Sequence, residues 1–96
     1  MHNMSQNALN ASHAQTLRHL AASRFYLPET LPSLDAEECW LSMQELLHHN
    51  ELGLALDDAI ELGELCGGPK EFWDELHCAA VNMGLHHQAG LLQARL

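Results

Sequence analysis

Apolar residues recur along the chain at the spacing of amphipathic α-helices. When successive residues are turned by 100°, the apolar residues of three segments, about 35–49, 51–66 and 70–83, each fall on one face. The predicted core faces are Ala36, Cys39, Trp40, Met43, Leu46 and Leu47; Leu52, Leu56, Ala59, Ile60, Gly63 and Cys66; and Phe72, Leu76, Ala79, Ala80 and Met83. Among these we expect Trp40, Leu56, Ile60, Phe72 and Leu76 to be largely buried.

The composition argues against a sheet and indicates the fold class. Val81 and Ile60 are the only Val or Ile, and no period-2 alternation of β-branched residues occurs. The loops between the three segments are short, so consecutive helices should be antiparallel neighbours. We therefore predict an all-α fold, a small bundle of four to five short helices arranged as antiparallel helical hairpins.

Capping and turn residues mark the predicted helix ends. Asp35 and Glu38 have the spacing of a capping box. Asn50 is suited either to a left-handed residue that ends the second helix or to a cap of the third. Gly67 is suited to the position past the end of the third helix, and Gly84 should end the fourth. Further boundary predictions are Ser5 as N-cap of a first helix over about 5–25, Pro69 as the first residue of the fourth helix, and a last helix over about 86–95.

The chain divides into two parts within a single domain. Residues 1–34 are predicted to form an N-terminal helix and a linker that contains Pro28 and Pro32, and residues 35–96 the helical core. No run of 18 apolar residues occurs, and residues 1–15 lack a basic segment followed by an apolar one, so we expect neither a membrane span nor a secretion signal. Three cysteines without CxxC spacing are typical of reduced thiols, which favours a cytoplasmic protein.

The formal charge of −9 is distributed unevenly. Residues 1–28 contain two arginines and no acid, whereas residues 35–75 contain twelve acids and one lysine. This polarity argues against direct binding of nucleic acid or of anionic lipid, and it favours a basic protein partner. The alternative is that the charge only keeps a small protein in solution.

The acids of the third segment share the face opposite its core stripe. Asp57, Glu61 and Glu64 lie close together on that face. Like charges four residues apart repel, and no lysine or arginine in this segment relieves them. Exposed leucines among carboxylates resemble an anchor within a charged rim. The predicted partner-binding residues are Asp57, Asp58, Glu61, Glu64, Leu54, Glu51, Glu45 and Leu41, unless a last helix folds over Leu41 or Leu54 and buries them.

Signatures of an enzyme, a cofactor site or a metal site are absent from the sequence. It contains no G-x-S-x-G, P-loop, GxGxxG, HExxH or EF-hand pattern. The pairs His48–His49 and His86–His87 point about 100° apart on a helix and do not chelate by themselves. We therefore predict no catalytic residue, no cofactor and no metal, and zinc bound by Cys and His that the fold brings together stays a lesser alternative.

Two stretches resemble a known group of proteins. "WLSMQELLHHNELGLALDDAIELGE" and "PKEFWDELHCAAVNMGL", within residues 38–90, resemble small helical immunity proteins of bacterial polymorphic-toxin systems, the MafI type in particular. The resemblance rests mostly on core positions, and residues 1–34 do not share it. It implies a cytosolic protein that binds and neutralises a cognate toxin, often a basic nuclease, whose nucleic-acid site an acidic inhibitor occupies as a phosphate mimic.

Three hypotheses follow from the sequence. The first is a toxin-neutralising immunity protein that binds through the acidic face. The second is a helical adaptor or chaperone that holds a partner helix in an apolar groove between the second and third segments. The third is a binder of a small ligand or metal that uses Cys and His. The oligomeric state stays open in all three.

Overall fold

Residues 2–96 form five α-helices and one short 3₁₀ turn. The computed structural model describes the backbone of residues 2–96 and the side chains of residues 11–96. The helices are α1 (His2–Ser23), α2 (Leu34–His48), α3 (Leu52–Cys66), α4 (Lys70–Asn82) and α5 (His86–Gln93), and the 3₁₀ turn (Arg24–Tyr26) follows α1. Residues 2–96 contain no strand. The predicted all-α fold is confirmed.

Left-handed residues separate α2, α3, α4 and α5 as the sequence predicted. The φ angles of Asn50, Gly67 and Gly84 are 58°, 62° and 71°. At the first of these turns the amide of Glu51 donates to the carbonyl of Leu46 at 2.8 Å, which satisfies a carbonyl at the end of α2. Each turn reverses the chain within a few residues, so sequence neighbours pack side by side.

The N-terminal boundaries differ from the predictions. Ser33 caps α2, and its hydroxyl accepts the amide of Ala36 at 3.1 Å. The capping box predicted at Asp35 and Glu38 is therefore wrong, since both residues lie inside the helix. Ser5 lies within α1, and its predicted capping side chain is outside those described. Pro69 precedes the first residue of α4, and α5 ends at Gln93.

Helix α4 lies at the centre of the packing and α2 at an edge. α4 packs against α1, α3 and α5, whereas the main neighbour of α2 is α3. The side chains at the common core include Leu20 of α1, Met43 of α2, Leu56 of α3, Phe72 of α4 and Leu92 of α5. The amide of Asn82 joins α4 to α1, because it donates to the Ser12 carbonyl and the Thr16 hydroxyl at 2.7 and 2.6 Å.

Two burial predictions failed, and the edge position of α2 explains the one at Trp40. Leu56, Phe72 and Leu76 are fully buried as expected, but Trp40 and Ile60 are half-buried. Because α2 has a helix on one side only, the ring of Trp40 is covered by the guanidinium of Arg24, 5.4 Å from the ring centroid, and not by a helix. In α3 the buried stripe is centred on Ala55, Leu56, Ala59, Leu62 and Gly63, so Ile60 and Cys66 fall at its margin.

Candidate functional site

The acidic residues of α3 meet those of α2 in one groove. The depression between the two helices is lined by Asp35, Glu38, Cys39, Ser42, Asp58, Glu61 and Leu65, and we call it the acidic groove. Four of these seven residues are carboxylates and none is cationic. The groove has a volume of about 280 Å³, enough for the ends of long side chains but too little for a helix about 10 Å across.

Hydrogen bonds between the helices fix part of the acidic groove. The hydroxyl of Ser42 donates to a carboxylate oxygen of Asp58 at 2.6 Å. Deeper in the groove, the thiol of Cys39 donates to the main-chain carbonyl of Asp58 at 3.0 Å. The same thiol lies 3.7 Å from Glu61 Oε2. These contacts hold Asp58 in place, whereas Asp35, Glu38 and Glu61 are exposed to solvent.

Cys39 forms the floor of the acidic groove as a protonated thiol. Its side chain is 7% exposed. Burial, together with the negative charges of Glu61 and Asp58, raises the pKa of Cys39 to about 12. Sγ and carboxylate oxygens of Asp58 and Glu61 lie within 4.8 Å of one another. Because a thiol must lose its proton to bind a metal, the arrangement favours a hydrogen-bonded floor.

The outward face of α3 carries the acids predicted for partner binding. Asp57, Glu61 and Glu64 are exposed, and Asp58 turns towards α2 and is half-buried. Glu64 differs from the others because Arg95, beyond the end of α5, forms an ion pair with it. The same guanidinium lies over the ring of Trp73, 4.2 Å from its centroid. Of the four predicted acids on α3, Asp57, Asp58 and Glu61 are therefore not paired with Lys or Arg among the described side chains.

The remaining predicted site residues lie around this centre and not in it. Leu54 and Leu41 are 54% and 64% exposed, so the last helix does not cover them. Leu41 lines a separate depression on the far side of α2, Glu45 is exposed on that helix, and Glu51 lines a depression near the start of α3. The structure thus brings together Asp57, Asp58 and Glu61 but leaves Glu51 apart from them.

Asp35, Glu38 and Ser42 belong to the acidic groove but were not predicted as site residues. The signal that could have found them is the turn at Asn50. Residues equally distant from Asn50 in sequence face each other across an antiparallel hairpin, which pairs Ser42 with Asp58 and Asp35 with Leu65. The face pattern of a single helix does not show which side chains meet across the hairpin, so the acids that α2 contributes were not predicted.

The histidines and the other cysteines lie elsewhere. The rings of His48 and His49 meet edge to face, with centroids 5.3 Å apart, at the end of α2. His77 and Cys78 line a shallow depression between α1 and α4 together with His19, whose Nδ1 lies 3.2 Å from Glu75 Oε1. Burial raises the pKa of Cys78, and Asp74 and Glu75 raise it further. In the described part of the chain, the only convergent set of possible metal ligands is that of Cys39, Asp58 and Glu61.

Comparisons with known proteins do not add to this picture. No protein-family model, curated protein or solved structure matches the chain. None of the described helices is both long and apolar enough to cross a membrane.

Proposed function

We propose that the protein binds a basic protein partner through the acidic groove and the adjoining outward face of α3. The observation that carries this proposal is the convergence of Asp35, Glu38, Asp58 and Glu61, from two helices, on one groove whose lining contains no cation. Asp57 extends the same charge on the solvent side of α3. A Lys or Arg side chain that enters the groove meets several carboxylates at once.

The cost of this arrangement to the fold supports a binding role. Asp57 and Glu61 are four residues apart on one helix face, and such like-charge pairs destabilise a helix by about 0.2–0.5 kcal/mol each. Placing the acids of α2 beside those of α3 adds to the repulsion. An acidic patch of this kind also accelerates association with a basic partner, because opposite potentials guide the two surfaces together.

We further propose that the partner is a toxin domain that the protein neutralises. This part rests on the resemblance of residues 38–90 to immunity proteins. Carboxylates on neighbouring turns present negative charge much as successive phosphates do, so they suit the basic site of a nuclease. The acidic groove is narrow and polar, which favours this charged mode over an adaptor that holds an apolar helix between α2 and α3.

Isolation of the partner with matched baits tests the proposal. The wild-type protein, Asp57→Lys/Glu61→Lys and the control Glu71→Lys/Asp74→Lys are used to capture proteins from the host. Both variants change the net charge equally, but the control acids lie on α4. We expect one basic partner, retained by the wild type and the control and lost from the α3 variant. Expressed alone, the partner should stop growth, and co-expression of the wild type should restore it.

Two results would refute the two parts of the proposal separately. A partner that all three baits retain equally would show that the acidic face is not the binding surface. A basic partner whose binding depends on Asp57 and Glu61 but which is harmless when expressed alone would support the binding mode. It would refute the proposal that the partner is a toxin.

A further inference from the structure

A second depression lies on the opposite flank of α2 and has the apolar side chains of Leu31, Trp40 and Leu41 in its lining. It is lined by Arg24, Glu29, Thr30, Leu31, Glu37, Trp40 and Leu41, has a volume of about 490 Å³, and is called here the linker depression. A smaller depression lined by Arg24, Phe25, Leu27 and Glu29 adjoins it. Phe25 and Leu41 are 87% and 64% exposed. Two large apolar side chains are therefore left uncovered around Arg24 and Glu29.

The segment predicted as a linker is folded back and fixed. The guanidinium of Arg24 donates to the carbonyls of Pro28 and Glu29 at 2.9 and 3.0 Å while it lies over Trp40. Leu27 is buried in the core, and its amide donates to the Arg24 carbonyl at 3.1 Å. The turn that carries Phe25 is thus held at both ends. An exposed aromatic side chain on a fixed turn loses little conformational entropy when a partner covers it.

The charges around the linker depression select the chemistry of its occupant. Glu29 and Glu37 are in its lining, and Asp35 and Glu38 are on the other flank of α2. Arg24 is the one cation in the lining, and the main-chain carbonyls and the Trp40 ring already occupy its guanidinium. Two carboxylates against one guanidinium leave the lining with a net negative charge, so a basic occupant matches it better than an acidic one. A second copy of this chain, with a formal charge of −9, is a poor match.

We propose that the linker depression takes a large apolar side chain from a basic segment of the protein partner, with flanking Lys or Arg side chains against Glu29 and Glu37. This inference rests on the proposed function and extends the binding surface across α2. Phe25, Trp40 and Leu41 form the apolar anchor site, and the acidic groove on the other side of α2 supplies charge. Trp, Tyr and Arg are the side chains that most often dominate binding energy at interfaces, and Trp40 is one of these types.

Two synthetic peptides test the inference without the natural partner. Both have about 16 residues, long enough to form a helix on binding. The anchored peptide carries Leu and Phe on one face and Lys and Arg on the other; the control peptide has Ser in place of Leu and Phe. Binding is measured by titration against isotope-labelled protein, and the perturbed backbone amides are mapped. We expect the anchored peptide to bind at least about tenfold more tightly than the control peptide. The perturbed amides should cluster in residues 24–31 and 37–41.

Matched variants of the protein locate the contact. Phe25→Ala and Leu41→Ser remove exposed side chains, so the fold should persist. Each substitution should weaken binding of the anchored peptide about tenfold. Val81→Ser removes a comparably exposed apolar residue on α4 and should leave binding unchanged. Equal binding of both peptides, perturbations outside residues 24–41, or no binding of the anchored peptide would overturn the inference. So would concentration-dependent self-association that Phe25→Ala abolishes, because the occupant would then be a second copy.

The charge-reversed protein separates this inference from the proposed function. If Asp57→Lys/Glu61→Lys binds the anchored peptide at residues 24–41 as tightly as the wild type does, the linker depression binds the peptide without a contribution from the acidic face. If the acidic face binds both peptides equally and Phe25→Ala has no effect, the proposed binding by the acidic face is supported. The proposed binding at the linker depression is then refuted.

Discussion

At the scale of single residues, Gly63 decides how closely α3 approaches α4. A Cβ atom at this position would collide with the Phe72 ring and lie 2.6 Å from Trp73 Cη2. Both rings are buried and meet edge to face with centroids 5.0 Å apart, so neither can move away freely. We expect Gly63→Ala to destabilise the protein by about 1–3 kcal/mol in urea unfolding.

The matched control for this prediction is Gly53→Ala in the same helix. A Cβ there meets nothing within 4 Å, so the substitution should be neutral or stabilise by up to about 1 kcal/mol. Equal losses of stability in both variants would mean that close packing at Gly63 is not the cause.

The buried thiol of Cys39 predicts a dependence of stability on pH. The pKa of the thiol is 9.0 in an unfolded chain and is raised to about 12 in the fold, because burial and the charges of Glu61 and Asp58 oppose ionisation. The stabilising contribution of the protonated thiol is therefore complete below pH 9 and is lost as the pH rises towards 12. Between about pH 8 and pH 10.5, wild type should lose more unfolding free energy than Cys39→Ala. Parallel losses in the two proteins would contradict the buried, protonated thiol.

At the scale of elements, the start of α2 distinguishes two capping schemes. The Ser33 hydroxyl accepts the Ala36 amide, whereas the spacing of Asp35 and Glu38 in the sequence predicted a capping box. Ser33→Ala should cost about 1 kcal/mol of stability, because it leaves a helix-terminal amide without its acceptor. Asp35→Asn should have a smaller effect, limited to the interaction of its charge with the helix dipole. If Asp35→Asn cost more stability than Ser33→Ala in thermal or urea unfolding, the result would support the capping box instead.

The helix ends and the edge helix show what the sequence could and could not predict. Asn50, Gly67 and Gly84 were recognisable because few residues accept a positive φ, and the structure confirms all three turns. The exposure of Trp40 was not recognisable, because a helical stripe indicates which face is apolar but not whether another helix covers it. Packing of α2 chiefly against α3 is a property of the whole bundle.

At the scale of the whole molecule, the candidate site also depends on how the helices pack, which the pattern of a single helix does not indicate. The acids of α3 were predicted from one helix face, and the structure places Asp57 and Glu61 on its solvent side. The contribution of Asp35 and Glu38 depends on how α2 and α3 pair across the Asn50 turn, which the separate helix patterns do not contain. The linker depression was missed for a similar reason, since the two prolines suggested an open linker and Arg24 folds it back.

The surface of the molecule combines an acidic side and an apolar side around one edge helix. The acidic groove lies on one flank of α2 and the linker depression, which Leu41 lines, on the other, and Glu45 is exposed on the same helix. A partner that covers α2 would meet both. Charged rims act mainly on association rates and apolar anchors mainly on dissociation rates, so the two parts should separate in kinetic measurements.

The association rate constant of the partner, measured at low and at high salt, tests the central claim most directly. The proteins compared are the wild type, Asp57→Lys/Glu61→Lys and the equally charged control Glu71→Lys/Asp74→Lys. We predict that the α3 variant associates at least about tenfold more slowly than wild type at low salt and has a much flatter salt dependence, while the control stays closer to wild type. If the α3 variant and the α4 control associate at the same rates at both salt concentrations, the acidic face is only a solvated surface.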